Sequence, residues 1–249
     1  MTSQIRLEDV HLHYLSSAFK DRSLKSFLAR RLALNSVPEV RDVHALKGIT
    51  LDIAAGERVG LLGANGAGKT TFLRMIAGLY PISGGRRIVT GNIRSLLELS
   101  LGFEPDATGR QNILYRGLLL GMNPKFMRSI EEEVAAFADL GEFIDYPLKT
   151  YSAGMQVRLA FAVSTAVGAD LLLLDEVIGA GDASFMAKAK RRMAEMISSA
   201  KILLLASHDP GALRSLCNRG LVFRGGSIAF DGPIEAAVAS YQAMGKASR

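Results

Sequence analysis

Apolar and polar positions along this chain change period several times, and the changes mark its elements. Residues 5–10 alternate weakly, as a half-buried strand does. The alternation then breaks over residues 14–41. Residues 49–53 and 58–62 read as two strands joined by the turn Ala54-Ala55-Gly56-Glu57. Helical spacing follows over 71–79, then a turn at 81–85 and two further strands at 87–89 and 93–97. From 108 to about 167 the period is helical. Asn123-Pro124 supplies an N-cap and a first-turn proline for a helix ending near 140, and Ser152 caps an apolar helix over 156–167. Beyond it, strands at 171–175, 201–206, 221–224 and 227–230 are interleaved with helices at 182–199, 210–217 and 234–244.

Repeated strand–helix units predict an α/β fold with a mostly parallel sheet flanked by helices. The N-terminal strands add an antiparallel β part, and the helical block at about 108–167 is an inserted lobe. The 249 residues are enough for one large domain of this kind, and we expect a single domain over 1–249. No apolar run approaches the ~20 residues that a membrane-spanning helix requires, and the first residues lack the apolar stretch of a secretory leader. The one cysteine, Cys217, excludes an internal disulfide and is expected to be a small buried apolar residue.

A net charge of +6 favours no partner class by itself. Its distribution is uneven. Lys20, Arg22, Lys25, Arg30 and Arg31 stand against Asp21 alone, while Leu24, Phe27, Leu28 and Leu32 recur at helical spacing. This predicts a basic amphipathic helix within an insertion at about 17–43. Its apolar face packs either on the domain or on a membrane surface or partner.

The strongest chemical signal is Gly63-Ala64-Asn65-Gly66-Ala67-Gly68-Lys69-Thr70-Thr71. It fits the phosphate-loop pattern G-x-x-x-x-G-K-[ST], and it falls between a strand and a helix, as the pattern requires. Glycines let the backbone wrap a triphosphate with its N–H groups inward, and the next helix presents its positive end to the same charge. Lys69 is placed to reach the β- and γ-phosphates and the Thr70 hydroxyl to ligate Mg²⁺. Leu171-Leu172-Leu173-Leu174-Asp175-Glu176 is an apolar strand ending in two acids. It reads as a Walker B element, in which Asp175 lies near the Mg²⁺ and Glu176 polarises the attacking water. These motifs imply ATP and Mg²⁺ as the ligands.

Tyr151-Ser152-Ala153-Gly154-Met155, just upstream of that strand, resembles the signature of the ABC transporter ATPases. The resemblance implies that Ser152 and Gly154 face ATP bound to the opposite subunit of a homodimer. Tyr151, Ala153 and Met155 depart from the usual Leu, Gly and Gln. The same resemblance gives Asp182, in Gly179-Ala180-Gly181-Asp182, a place at the dimer interface, and makes His208 the switch histidine that contacts the γ-phosphate. The family's Q-loop glutamine is missing, and Glu98 is the nearest polar candidate for its place beside the metal, although a carboxylate lacks the amide's donor hydrogens. Tyr14 is the expected adenine-stacking aromatic, with Phe19 and His44 as alternatives.

Leu97-Glu-Leu-Ser-Leu-Gly-Phe-Glu-Pro-Asp-Ala-Thr-Gly-Arg-Gln-Asn112, the signature and Asp175-Glu-Val-Ile-Gly-Ala-Gly-Asp182 are most similar to the ATPases of bacterial polysaccharide exporters. These export O-antigen, capsular polysaccharide or teichoic acid. The resemblance implies an ATPase, peripheral on the cytoplasmic face of the inner membrane, that powers a separate integral-membrane permease for a lipid-linked polysaccharide. The loop over 98–112 and the helical lobe are then the docking surface. The sequence ends about forty residues after His208, so a C-terminal carbohydrate-binding domain is not expected. The alternatives are the ATPase subunit of another ABC exporter or importer, a soluble ABC protein of ribosomes or DNA, and a binding module without hydrolysis. Nucleic acid is not an expected partner: neither two joined ATPase domains nor long coiled coils are present.

Overall fold

The structure is a computed structural model, and it describes residues 3–16, 41–97, 101–175 and 183–247. The predicted basic helix, Phe19, Glu98, Glu176 and Asp182 lie outside the described residues.

Two sheets carry the fold. The first is antiparallel with order β2-β1-β4, from β1 (Gln4–Ser16), β2 (Arg41–Ala54) and β4 (Gly84–Thr90). Pairing of β1 with β2 runs from Gln4↔Ala54 to Ser16↔Arg41, so both strands extend well beyond the apolar stretches that predicted them. The cause is local. The register shifts between Leu7 and Val10, between Val10 and Leu12 and between Leu12 and His13, with Asp9 at φ 48°, and each shift resets the period-2 pattern. Residues 41–43, assigned from sequence to the basic insertion, belong to β2.

The second sheet has the order β5-β6-β7-β3-β8-β9. It comprises β3 (Arg58–Leu62), β5 (Ile93–Ser95), β6 (Leu171–Asp175), β7 (Ile202–Ala206), β8 (Arg219–Arg224) and β9 (Ser227–Pro233). All pairs are parallel except β8 with β9. The turn at 54–57 therefore carries the chain from one sheet to the other.

Burial on both faces explains the unbroken leucine runs of β6 and β7. Leu171, Leu173, Ile202 and Leu204 join a core with β1, β2 and α1 (Lys69–Ile76), so α1 is packed between the two sheets. Leu172, Leu174, Leu203 and Leu205 join a second core with α5 (Ala183–Ser199), α6 (Pro210–Leu216) and α7 (Ile234–Ala247). Cys217 is buried in this second core, and burial pushes its thiol up to about 12, as expected of an inert apolar filler.

Between β5 and β6 the chain builds a helical lobe from α2 (Gly109–Leu119), α3 (Pro124–Ala138) and α4 (Ala153–Thr165), with 3-10 turns at Gly141–Asp145 and Leu148–Thr150. Ile113, Met127, Val134, Leu148 and Leu159 form its separate core. The caps follow the sequence reading. Asn123 accepts from the Lys125 N–H and Ser152 from the Met155 N–H, with Pro124 in the first turn of α3. Asn112, fully buried, accepts from the Glu104 N–H and donates to the carbonyls of Glu104, Ala107 and Thr108. It thereby shapes the loop ahead of α2.

Candidate nucleotide-binding site

The site lies at the carboxyl ends of three neighbouring strands, where open α/β sheets hold their ligands. Ala206, at the end of β7, is the register partner of Leu61 on β3 and of Asp175 on β6. The loop after β3, the acid ending β6 and the Ser207-His208 turn after β7 are thus brought side by side.

Local constraints shape the loop. A Cβ on Gly63 would lie 2.7 Å from the Phe223 carbonyl oxygen, so no other residue fits there without a shift. Gly68, the N-cap of α1, has φ 112°, a left-handed conformation open chiefly to glycine. No side chain caps α1, so its first-turn N–H groups are left for an anion rather than for a capping oxygen. Lys69 is 8% exposed and its Nζ donates to the carbonyls of Gly63 at 2.6 Å and Ala64 at 3.2 Å. The ammonium is thereby held at the mouth of the loop.

Thr70 Oγ1 donates to Asp175 Oδ2 at 2.6 Å. A hydroxyl and a carboxylate this close form a hard oxygen donor set, the kind Mg²⁺ takes beside a triphosphate. His208 is exposed on the turn between β7 and α6. That turn is pinned because Ser207 Oγ accepts from the Asp209 N–H and Asp209 caps α6 through the Gly211 N–H.

Tyr14, Asn65, Gly66, Ala67, Gly68, Lys69, Thr70, Thr71, Asp175 and His208 all line one cleft of about 500 Å³. The Tyr14 hydroxyl donates to Thr71 Oγ1 at 3.1 Å, and the ring meets Tyr80 edge-on at 5.3 Å between centroids. Burial raises the Tyr14 phenol above its ordinary pKa, so it stays protonated and able to donate.

His44, the described alternative to Tyr14, does not line this cleft. Its Nε2 faces His11 Nδ1 at 3.0 Å and its ring stacks on His13 at 4.0 Å. Strand alternation turns Val43 and Ala45 to the cleft instead. Sequence reading missed both, because an isolated Val or Ala carries no chemical signal. Only the pairing of Tyr14 with Val43 reveals them.

Ser152 and Gly154 are exposed at the N-terminus of α4 and are not among the residues lining the cleft. The departure at Tyr151 has a packing cause. It is buried in the lobe core and its hydroxyl donates to the Phe143 carbonyl at 2.5 Å. Among the described residues, no group of three or more His, Cys, Asp or Glu side chains is arranged to hold a metal ion, and Thr70 with Asp175 is the described oxygen pair that could hold one beside a nucleotide.

A glycine cradle on a central parallel strand, an uncapped helix start and a hydroxyl–carboxylate pair define a phosphate-loop nucleotide-binding domain. The comparisons carry this to a family. The profile described as "ABC transporter" matches residues 46–179, more than half of the chain. The O-antigen export system ATP-binding protein RfbE of Yersinia enterocolitica is 44% identical over 186 residues, 75% of this chain and 77% of that protein. RfbB of Myxococcus xanthus, named likewise, is 40% identical over 80% of this chain, which spans 46% of that protein's length. The teichoic acids export ATP-binding protein TagH of Lactococcus lactis is 31% identical over 97% of this chain and 51% of its own length. A solved dimer of the ATP-binding cassette MJ0796 bound to ADP and Pi shares the fold. Its TM-score is 0.65 at 19% identity, covering 92% of this chain and 98% of that one. The chain belongs to the ABC transporter family and is one of its ATP-binding, ATP-hydrolysing cassettes. No helix among the described residues is long and apolar enough to cross a membrane.

Proposed function

We propose that this chain is the ATP-hydrolysing subunit of an ABC exporter that moves a lipid-linked, O-antigen-like polysaccharide across the cytoplasmic membrane through a separate permease. The observation that carries this reading is the single cleft joining the phosphate loop, Asp175, His208 and Tyr14 in a chain similar to O-antigen and teichoic acid export ATP-binding proteins.

In this reading Tyr14, with Val43 and Ala45 beside it, seats the adenine ring, and the loop N–H groups with Lys69 hold the β- and γ-phosphates. Thr70 and Asp175 hold Mg²⁺, which when bound neutralises charge developing on the phosphates. By resemblance, Glu176 orients and deprotonates the water, His208 fixes the γ-phosphate, and Glu98 stands in for the missing glutamine. Ser152 and Gly154 would complete the site of a second copy, with Asp182 at the interface. Their exposure on one helix N-terminus, away from the chain's own cleft, supports that role. The chain works as a homodimer, peripheral on the cytoplasmic face of the inner membrane. Closure on ATP and reopening after hydrolysis pass to the permease through the lobe and the loop over 98–112.

The test is affinity purification of the tagged chain from detergent-solubilised native membranes, followed by mass spectrometry. Recovery of a polytopic permease in equal amount together with lipid-linked sugar supports the reading. Ribosomal proteins, nucleic acid, or an importer permease with its binding protein would overturn the export assignment.

A further inference from the structure

α1 leaves the phosphate loop and stops at a turn that its own sequence sets. Gly78 takes φ 79°, the Gly78 N–H donates to the Met75 carbonyl at 3.1 Å, and the Leu79 N–H donates to the Arg74 carbonyl at 2.9 Å. This is the Schellman arrangement, in which a left-handed glycine ends the helix and reverses the chain. The reversal returns Tyr80 to Arg74. Arg74 Nη1 donates to the Tyr80 hydroxyl at 2.9 Å, and the guanidinium carbon lies 5.4 Å from the Tyr80 ring centroid. One side chain thus holds the Tyr80 ring both at its tip and over its face.

Tyr80 in turn braces Tyr14. The two rings meet at 85° with centroids 5.3 Å apart, where the edge of one ring is attracted to the face of the other. A second anchor holds the same side chain, since the Tyr14 hydroxyl donates to Thr71 Oγ1 at 3.1 Å. Thr71 and Arg74 stand at i and i+3 on α1 and so share a face of the helix. Tyr14 lines the nucleotide cleft, whereas Arg74 and Tyr80 do not. One helix therefore carries Lys69 and Thr70 at the phosphate end and, within the next turns, the groups that fix the Tyr14 ring.

We propose that Tyr80, braced by Arg74, is a positioning residue for the nucleotide base, holding the Tyr14 ring in the attitude on which the base stacks. A ring that is already fixed loses little rotamer freedom when a base stacks on it, so the brace adds affinity for the nucleoside part of the ligand. Tyr80 acts only through Tyr14 and leaves the grip on the phosphates to the loop. The proposal rests on the reading of Tyr14 as the base seat.

The test measures binding of ATP and of inorganic tripolyphosphate to the full chain without Mg²⁺, where neither is turned over. Tyr80→Leu should weaken ATP about threefold to tenfold, the range that an aromatic pair supplies, and leave tripolyphosphate within about twofold. Tyr80→Phe keeps the edge contact and should bind ATP within about twofold of the parent. Tyr14→Ala should weaken ATP but not tripolyphosphate. Adding Tyr80→Leu to it should cost nothing more, because the brace has nothing left to hold. Equal weakening of both ligands by Tyr80→Leu, an unchanged ATP constant, a Tyr80→Phe chain as weak as Tyr80→Leu, or a further loss in the double variant overturns the inference. Undiminished ATP binding by Tyr14→Ala would instead remove the reading of Tyr14 as the base seat.

Discussion

Thr70 and Asp175 are 105 residues apart in sequence, and a single 2.6 Å hydrogen bond joins the first turn of α1 to the carboxyl end of β6. The bond sets the spacing between the phosphate loop and the acidic strand end. Asp175→Asn keeps an acceptor for Thr70 but loses the charge that would hold Mg²⁺. We predict an unchanged fold with ATP hydrolysis reduced on the order of a hundredfold, the loss expected when one strong electrostatic contact to the reacting phosphate is removed. Steady-state hydrolysis across a Mg²⁺ titration checks it, and wild-type turnover at ordinary Mg²⁺ would contradict it.

Gly154 has space on its own chain, where the nearest atom to an added Cβ is Ser152 Oγ at 4.0 Å. Gly154→Asp should therefore leave the monomer's stability within about 0.5 kcal/mol, as exposed substitutions do. It should nevertheless abolish ATP-driven dimerisation, because a carboxylate would meet the triphosphate of the facing subunit. Size-exclusion chromatography with and without ATP separates the two effects. A variant that still dimerises with ATP would remove the signature from the partner's site.

Asn112 makes four hydrogen bonds to the loop and helix start around it, three of them donated by its amide. Asn112→Ala should destabilise the chain by about 1–3 kcal/mol, because the Glu104 N–H loses its acceptor while the three carbonyls keep their backbone partners. Asn112→Asp should be worse than Ala, since a carboxylate oxygen would face three carbonyls. Denaturant melts of the two variants give the order directly.

The His44 imidazole is held below its ordinary pKa in the folded chain. Burial lowers its pKa first, and the neighbouring His13, His11 and Lys47 charges lower it further. Asp9 and Asp42 face the outer histidines of the group. A folded pKa below the unfolded value of about 6.5 makes the unfolded chain the better proton binder. The stabilisation is thus complete above about pH 6.5 and is lost as the pH falls through the folded value. His44→Asn should flatten the decline of melting temperature between pH 7 and pH 5. An equal decline in both proteins would assign the acid sensitivity elsewhere.

What sequence revealed divides along the range of the interactions. The phosphate loop, the Asn123 and Ser152 caps and the β6 leucine run are set by neighbours in the chain, and all were legible. The full extent of β1 and β2 was not, because bulges at 7–13 interrupt the alternation that would have shown it. Val43 and Ala45 join the cleft only through strand register, which has no local signature. His44 failed as a base-stacking candidate for the same reason: which face of β2 it occupies depends on pairing with His13, not on its own residue type.

The most direct test of the central claim is made in cells deleted for this chain, by quantifying surface polysaccharide and the lipid-linked polymer retained inside. The account predicts loss of the surface polymer with accumulation of the lipid-linked form. The wild-type chain should restore export and Lys69→Ala should not, because the account has Lys69 hold the phosphates. Normal surface polysaccharide in the deletion, or full rescue by Lys69→Ala, would contradict it.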